Sequence, residues 1–432
     1  MNADLQPPRV HYGAVSAAGA VGAATDVQPV AVLVCHGMGQ QVRYETISSI
    51  ASAVLTEAWS NGGVANPLDV HLVQQDQGIL TRAEISWKDG AGVPHAAHVY
   101  EAYWAPLTEG RVTYRDTIRF LLQAAWNGLK WSRPFKATTF RRWMFGQPQP
   151  LTIGGRTFVA LIAALAILLA QVVVIGAVSL KLASLLALFY GAVRTRTFAL
   201  PATAREMIHG ALWILLVIEV LAARYFLIQF VGDVAAYVSP YKDSKFDELR
   251  QKIQKVGLDV GKVIYGFGGP LTGVPDYQRV VVVGHSLGSV LAYDTLNALI
   301  NLDNVSSAAG KRDVVTRTRA LITFGSPLDK TAFIFRMQPK NKQDWMREHL
   351  AASTQPLILS YGDYRKDTFR WTNLWSPKDV ISGSLEYYDA VPESDAKHVR
   401  NIKDPQASVP LLAHTQYWNG QLLRKVLHDA IV

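Results

Sequence analysis

The pentapeptide Gly284-His285-Ser286-Leu287-Gly288 has the G-x-S-x-G spacing. At average Gly and Ser usage, a chain of this length would hold roughly 0.1–0.2 such matches by chance. The flanks sharpen the signal: VVVV precedes it and SVLAYDTL follows it. A buried strand, a sharp turn and a helix in direct succession would lift a serine hydroxyl clear of a sheet at a helix N-terminus. Small residues at 284 and 288 suit so tight a turn. Ser286 is therefore the candidate nucleophile, and the chemistry it could carry is attack on an acyl carbon.

Such a hydroxyl needs a base, and the base needs an orienting acid. For this turn the chain order is Ser, acid, His. The downstream histidines are His349, His398, His414 and His428. His398 lies in the polar stretch DAKHVRNIK and His428 close to the last residue, whereas His414 lies in the loop-like LLAHTQYWNG and is the preferred base. Asp379, in NLWSPKDVISG between turn residues Pro377 and Gly383, is the preferred acid; Asp363 is the main rival, and Asp329, after Gly325-Ser326-Pro327, is a weaker one.

An oxyanion would be met by the amide of Leu287 and by one from the loop His36-Gly37-Met38-Gly39, with Met38 preferred over Gly39. His36 reads as an organiser of that loop, its ring hydrogen-bonded to backbone. His95 and His98 form an H-x-x-H with nothing nearby to complete a metal site, and no Cys/His spacing reads as zinc.

These residues require an α/β frame. Residues 30–35, VAVLVC, form a short continuous apolar run of the kind a buried parallel strand shows. Helical spacing follows over 43–60. Strand-like pieces recur at 68–73, 82–87, 97–104, 280–283, 320–324 and 357–361, with helices at 244–264 and 290–300. Strands alternating with helices predict a mostly parallel sheet with helices on its faces.

The segments VLVCHGMGQ, VVVVGHSLGSVLAYD, ITFGSPLD, WSPKDVISG and AHTQYW together resemble the α/β-hydrolase superfamily, and within it lipase- or esterase-type members. The resemblance covers roughly 30–60 and 278–425. It implies a central mostly parallel sheet, a Ser–Asp–His triad and acyl-enzyme chemistry on an ester-like bond without a cofactor. The chain departs from a minimal member by a long insertion before the nucleophile strand.

That insertion carries most of the charge excess and the longest apolar runs. The chain has 432 residues, a formal charge of +9, 49% apolar and only 18% charged residues, and one cysteine. Charged residues fall below the roughly 25% of a soluble domain. This composition excludes a disordered, collagen-like or solenoid protein, and one cysteine excludes an intramolecular disulfide. Residues 111–156 hold nine basic side chains, one acid and three tryptophans; Arg111, Arg115 and Arg119 form an i, i+4, i+8 row. A basic amphipathic segment of this kind suits an anionic lipid surface, or else a solvated face on the protein. No recognition motif points to nucleic acid.

Residues 158–180 run without a charge, long enough to span a bilayer, and a second stretch, 207–231, contains Glu219 and Arg224. Two transmembrane helices are expected here, the bland alternative being buried core helices. The basic flank places the preceding segment on the cytoplasmic side. The expected organisation is a loose tail over 1–29, an α/β part over 30–110, a basic surface segment over 111–157, a hydrophobic hairpin over 158–231, and a second α/β part over 244–432. The start of the chain does not resemble a secretory signal.

The functional expectation is a membrane-associated serine hydrolase acting on lipid or acyl esters. The alternatives are an acyltransferase, a non-catalytic scaffold of the same fold, and a toxin-like lipase whose hairpin enters a target membrane.

Overall fold

The structure is a computed structural model. It describes residues 9–11, 27–38, 41–66, 68–75, 78–109, 111, 116, 119, 237, 244–269, 271, 273–328, 331, 370–379, 381–385, 399–409 and 412–432. Contacts divide the chain into two units, one of Met1–Glu109 with Pro240–Val432, the other Gly110–Ser239. The second unit, with the basic segment and both hydrophobic stretches, lies almost wholly outside the described residues. Among the described residues no helix is long and apolar enough to cross a membrane.

The first unit is an α/β structure around a mixed, mostly parallel sheet. Its described strands are β1 (Arg9–His11), β2 (Val30–Cys35), β3 (Val64–Ala65), β4 (Asp69–Gln75), β5 (Gly78–Lys88), β6 (Pro94–Ala102), β7 (Val280–His285), β8 (Thr318–Phe324), β9 (Arg370–Trp375) and β10 (Val399–Lys403). They lie in the order β1-β4-β5-β6-β2-β7-β8-β9-β10, with β3 beside β5. From β6 through β10 every neighbouring pair is parallel. β4, β5 and β6 form an antiparallel meander, because short turns join them.

The central strands β2 and β7 are buried at every position, which is why their sequences are continuously apolar rather than alternating. Their register, Val32 beside Val281 and Val34 beside Val283, sends one set of side chains to a single face. There Val30, Val32, Val34, Val281 and Val283 meet Ile47, Ile50 and Val54 of α1 (Glu45–Ser60). Phe324 of β8 and a Leu423/Leu427/Ile431 stripe complete the same core; the stripe comes from the C-terminal helix, Gln421–Ile431.

The alternate side chains face α3 (Ser244–Tyr265) and α4 (Leu287–Val305), the helices that follow α2 (Ala105–Thr108). α3 and α4 cross closely: a Cβ on Gly257 would strike the Thr295 hydroxyl, and one on Gly261 would lie 2.6 Å from Leu299 Cδ1. The buried Arg250 pairs with Asp294 across this contact at 3.4 Å, and Gln254 donates to the same carboxylate at 3.0 Å.

Three segments differ from the sequence expectation. Arg9–His11, inside the stretch read as a loose tail, pairs with Asp69–His71, since an unpaired edge strand accepts any extended backbone. Arg370–Trp375, which has no continuous apolar run, is a strand against β8. Val399–Lys403, within the stretch read as polar surface, is an edge strand on β9, where its charged residues reach water. The expected strand 357–361 lies outside the described residues. Residues 105–108, at the end of the first α/β part, carry no element in the sequence expectation and form the single turn α2.

Candidate functional site

The parallel strands β2, β7, β8 and β9 all end at one edge of the sheet, the edge where open α/β sheets gather functional groups. Ser286 follows β7 and precedes α4. Its backbone stands at φ 53°, ψ −131°. A non-glycine residue there costs roughly 1–3 kcal/mol and persists only where its surroundings impose it.

The surroundings are tight backbone packing. A Cβ on Gly288 would collide with the Cys35 and His36 carbonyls, and one on Gly284 would collide with Ser289 Cα, so α4 starts directly against β2. The turn is pinned by hydrogen bonds from the Ser286 amide to the Phe324 carbonyl (3.0 Å) and from the Ser289 amide to the Ser286 carbonyl (2.9 Å). The Ser289 hydroxyl also lies 2.7 Å from that of Ser326.

His414 lies in the one-turn helix Ala413–Gln416, after β10.

 Buried Ala413 anchors that turn in the core. The His414 Nε2 atom accepts from the Ser286 hydroxyl at 2.8 Å, and its Nδ1–H donates to Asp379 Oδ2 at 2.9 Å. The tautomer follows from the partners, because a carboxylate only accepts. The histidine side chain is 12% exposed and that of Asp379 is 0% exposed; Ser286 is buried at 1%.

Asp379 lies in the turn after β9. Its own Oδ1 accepts the Ile381 amide at 2.9 Å, an Asx turn that fixes the carboxyl. The Tyr417 hydroxyl donates to Oδ2 at 3.1 Å, and the Ser376 hydroxyl ties the turn to the Ala407 carbonyl at 2.5 Å. Burial alone would raise the carboxyl's pKa. The hydrogen bond and electrostatic attraction of the His414 ring and the Ile381 amide outweigh it and hold the group down to about 2.

The loop after β2 reaches the same point. A Cβ on Gly37 would lie 2.9 Å from Ser286 Cβ, so only glycine lets the two backbones approach this closely. His36 stacks on Trp104 at 4.9 Å and 9°. The Trp104 amide donates to His36 Nε2 at 3.0 Å, which leaves the proton on Nδ1, 2.7 Å from the Gly37 carbonyl. With that carbonyl turned to the ring, the trans peptide directs the Met38 amide the opposite way. Burial, only partly offset by the Gly37 carbonyl, lowers the His36 pKa to about 4, so the ring is neutral. The Leu287 amide is in the first turn of α4, where no intrahelical acceptor exists.

The structure thus brings together Ser286, Asp379, His414, Gly37, Met38 and Leu287. It does not bring in His428, which packs near Trp87 with ring centroids 5.8 Å apart. His95 and His98 occupy β6 three residues apart, and so point to opposite faces. His95 meets Asp89 at 3.3 Å, and His98 meets the Tyr277 hydroxyl at 2.7 Å. Among the described residues no group of three His, Cys, Asp or Glu could hold a metal ion. Gly39, Asp329, His349, Asp363 and His398 lie outside the described residues.

Two supports escaped sequence reasoning. Tyr417, fully buried, bonds both Asp379 and the Ser382 hydroxyl; its only sequence signal was a position one helical turn after His414. Gly325, at φ +59°, is wedged so that a Cβ would lie 3.2 Å from Tyr417 and 3.3 Å from His414, and it stands where β8 must turn under the histidine.

No protein-family model matches the chain, no curated protein is significantly similar to it, and no solved structure matches its fold.

Proposed function

We propose that the protein is a serine ester hydrolase of the α/β-hydrolase type. The observation that carries this reading is the hydrogen-bonded series Asp379–His414–Ser286, set on a strained turn at a helix N-terminus.

In the proposed reaction Ser286 Oγ attacks the carbonyl carbon of an ester while its proton passes to His414 Nε2. The carbonyl oxygen becomes an oxyanion, which the Met38 and Leu287 amides meet. When the tetrahedral species collapses, the alkoxide leaves and takes the proton from His414 as the alcohol. Water then attacks the acyl-enzyme, gives one proton to His414, and releases the carboxylic acid as Ser286 regains its hydrogen. Asp379 keeps the imidazole in the productive tautomer and stabilises its charged form throughout.

Lipid or acyl esters are the proposed substrates, and membrane association is the reason. The sequence has an uncharged stretch over 158–180, a second apolar stretch over 207–231, and a basic flank before both. β2 and β7 are neighbours in one sheet although this insertion separates them. A chain that enters a bilayer between them must return to the same side, so two spans are proposed, with the α/β unit on the cytoplasmic side. The basic flank would meet anionic lipid headgroups.

The test is labelling by a fluorophosphonate, whose phosphorus takes the serine oxygen and loses fluoride. In membranes carrying the full chain, wild type is expected to label and Ser286→Ala to be blank. Labelling that survives Ser286→Ala, or a folded wild type that never labels, would overturn the reading.

A further inference from the structure

His285, the residue before the candidate nucleophile, has no role in the reaction above, yet it is built into the site. It is buried, and its ring packs on Phe324 at 4.8 Å and edge-on to Trp418 at 5.1 Å. An apolar side chain would suit this slot, because burying an imidazole costs solvation. Burial, reinforced by nearby His414, pushes its pKa down to about 3 and keeps the ring uncharged at neutral pH.

Both edges of the ring are used. Nε2 lies 3.1 Å from the His414 carbonyl, and since a carbonyl only accepts, Nε2 carries the proton. On the opposite edge, Nδ1 would be 3.1 Å from a Cβ on Gly37, so the loop after β2 lies directly against it. Cδ2 faces Gly325 in the same way, at 3.4 Å. The ring therefore spans from the loop of the proposed oxyanion donor to the backbone of the proposed base.

We infer that His285 is a positioning residue: its Nε2–H holds the main chain of His414, and its ring sets the spacing between that loop and the loop of Met38. This rests on the serine-hydrolase reading. His285 touches no reacting atom, and its effect passes through His414 and Gly37. A loop shifted by about 1 Å at such a site costs on the order of 100-fold in rate.

The test compares His285→Phe, which keeps a flat ring and removes the N–H, with His285→Gln, whose amide can restore a donor. The full chain in membranes is assayed with p-nitrophenyl butyrate for kcat and KM and with the fluorophosphonate for labelling rate. For His285→Phe a fall in kcat of about 10- to 100-fold with KM nearly unchanged is expected, and His285→Gln should recover most of it. Equal rates for Phe and Gln, whether both high or both low, would overturn the positioning role. If Phe prevents folding, as read by circular dichroism, His285→Met replaces it as the donor-free comparator. A wild type that neither labels nor hydrolyses overturns the underlying reading, and the positioning role with it. A wild type that labels only through Ser286 leaves that reading standing whatever the His285 variants do.

Discussion

Asp379→Asn tests the proposed division of labour most directly, because it changes one atom and leaves the shape intact. The carboxylate accepts the His414 Nδ1–H at 2.9 Å and so leaves Nε2 free to accept from Ser286. A carboxamide in the same place can present its NH2 to Nδ1, which then becomes an acceptor. The ring proton moves to Nε2, and the serine loses its base. The expected fall in kcat is about 10⁴-fold, or roughly 5.5 kcal/mol in the barrier. Stability should change far less. The descent of Asp379 from 3.8 to about 2 corresponds to roughly 2 kcal/mol favouring the charged carboxyl. That contribution is full above pH 4 and disappears as pH falls through about 2, since a depressed carboxylate pKa stabilises only while the group is ionised. With its NH2 on Nδ1, the Asn amide oxygen takes the place of Oδ1 and still accepts from the Ile381 amide, so the turn is expected to survive. The assay is p-nitrophenyl butyrate hydrolysis beside urea unfolding of the same preparations. A loss of under about tenfold with folding intact would refute the tautomer argument.

Other outcomes follow from the same geometry. Gly288→Ala places a Cβ against the Cys35 and His36 carbonyls; because backbone cannot swing aside, a loss of about 3 kcal/mol or failure to fold is expected, read from urea midpoints. Tyr417→Phe removes one donor from Asp379 while keeping the buried ring, and should cost about 1 kcal/mol of stability. His36 and His285, held neutral down to about 4 and about 3, and His98, which burial also holds well below its ordinary value, bind protons in the unfolded chain below pH 6.5 but not in the folded one. Stability should therefore fall as pH drops from 6.5 towards 4, with a slope of up to about 4.1 kcal/mol per pH unit for the three. His285→Gln should reduce that slope by about a third; an unchanged slope would rule out this protonation as its source.

How much could be read in advance depended on how local each feature is. The strand–turn–helix around Ser286 is contiguous, and β2 and β7 are buried on both faces, so their apolar runs were plain in the sequence. β9 was obscured because Arg370–Trp375 mixes polar and aromatic residues; Asn373 is fully buried yet pays its way by bonding Thr323 and Asn401. β10 was obscured because an edge strand tolerates charge.

Chain order and turn residues single out His414 and Asp379, but they cannot bring a carboxylate onto an imidazole 35 residues further along the chain. By itself the sequence determined the serine's turn, the apolar strands beneath it and the candidate partners, since each is encoded within a few neighbouring residues. Only the tertiary structure decided which carboxylate meets which ring nitrogen, that Tyr417 steadies it, and that His285 bridges two loops. Those contacts join residues far apart in the chain, and their distances exist only once the parallel strands have brought their ends together.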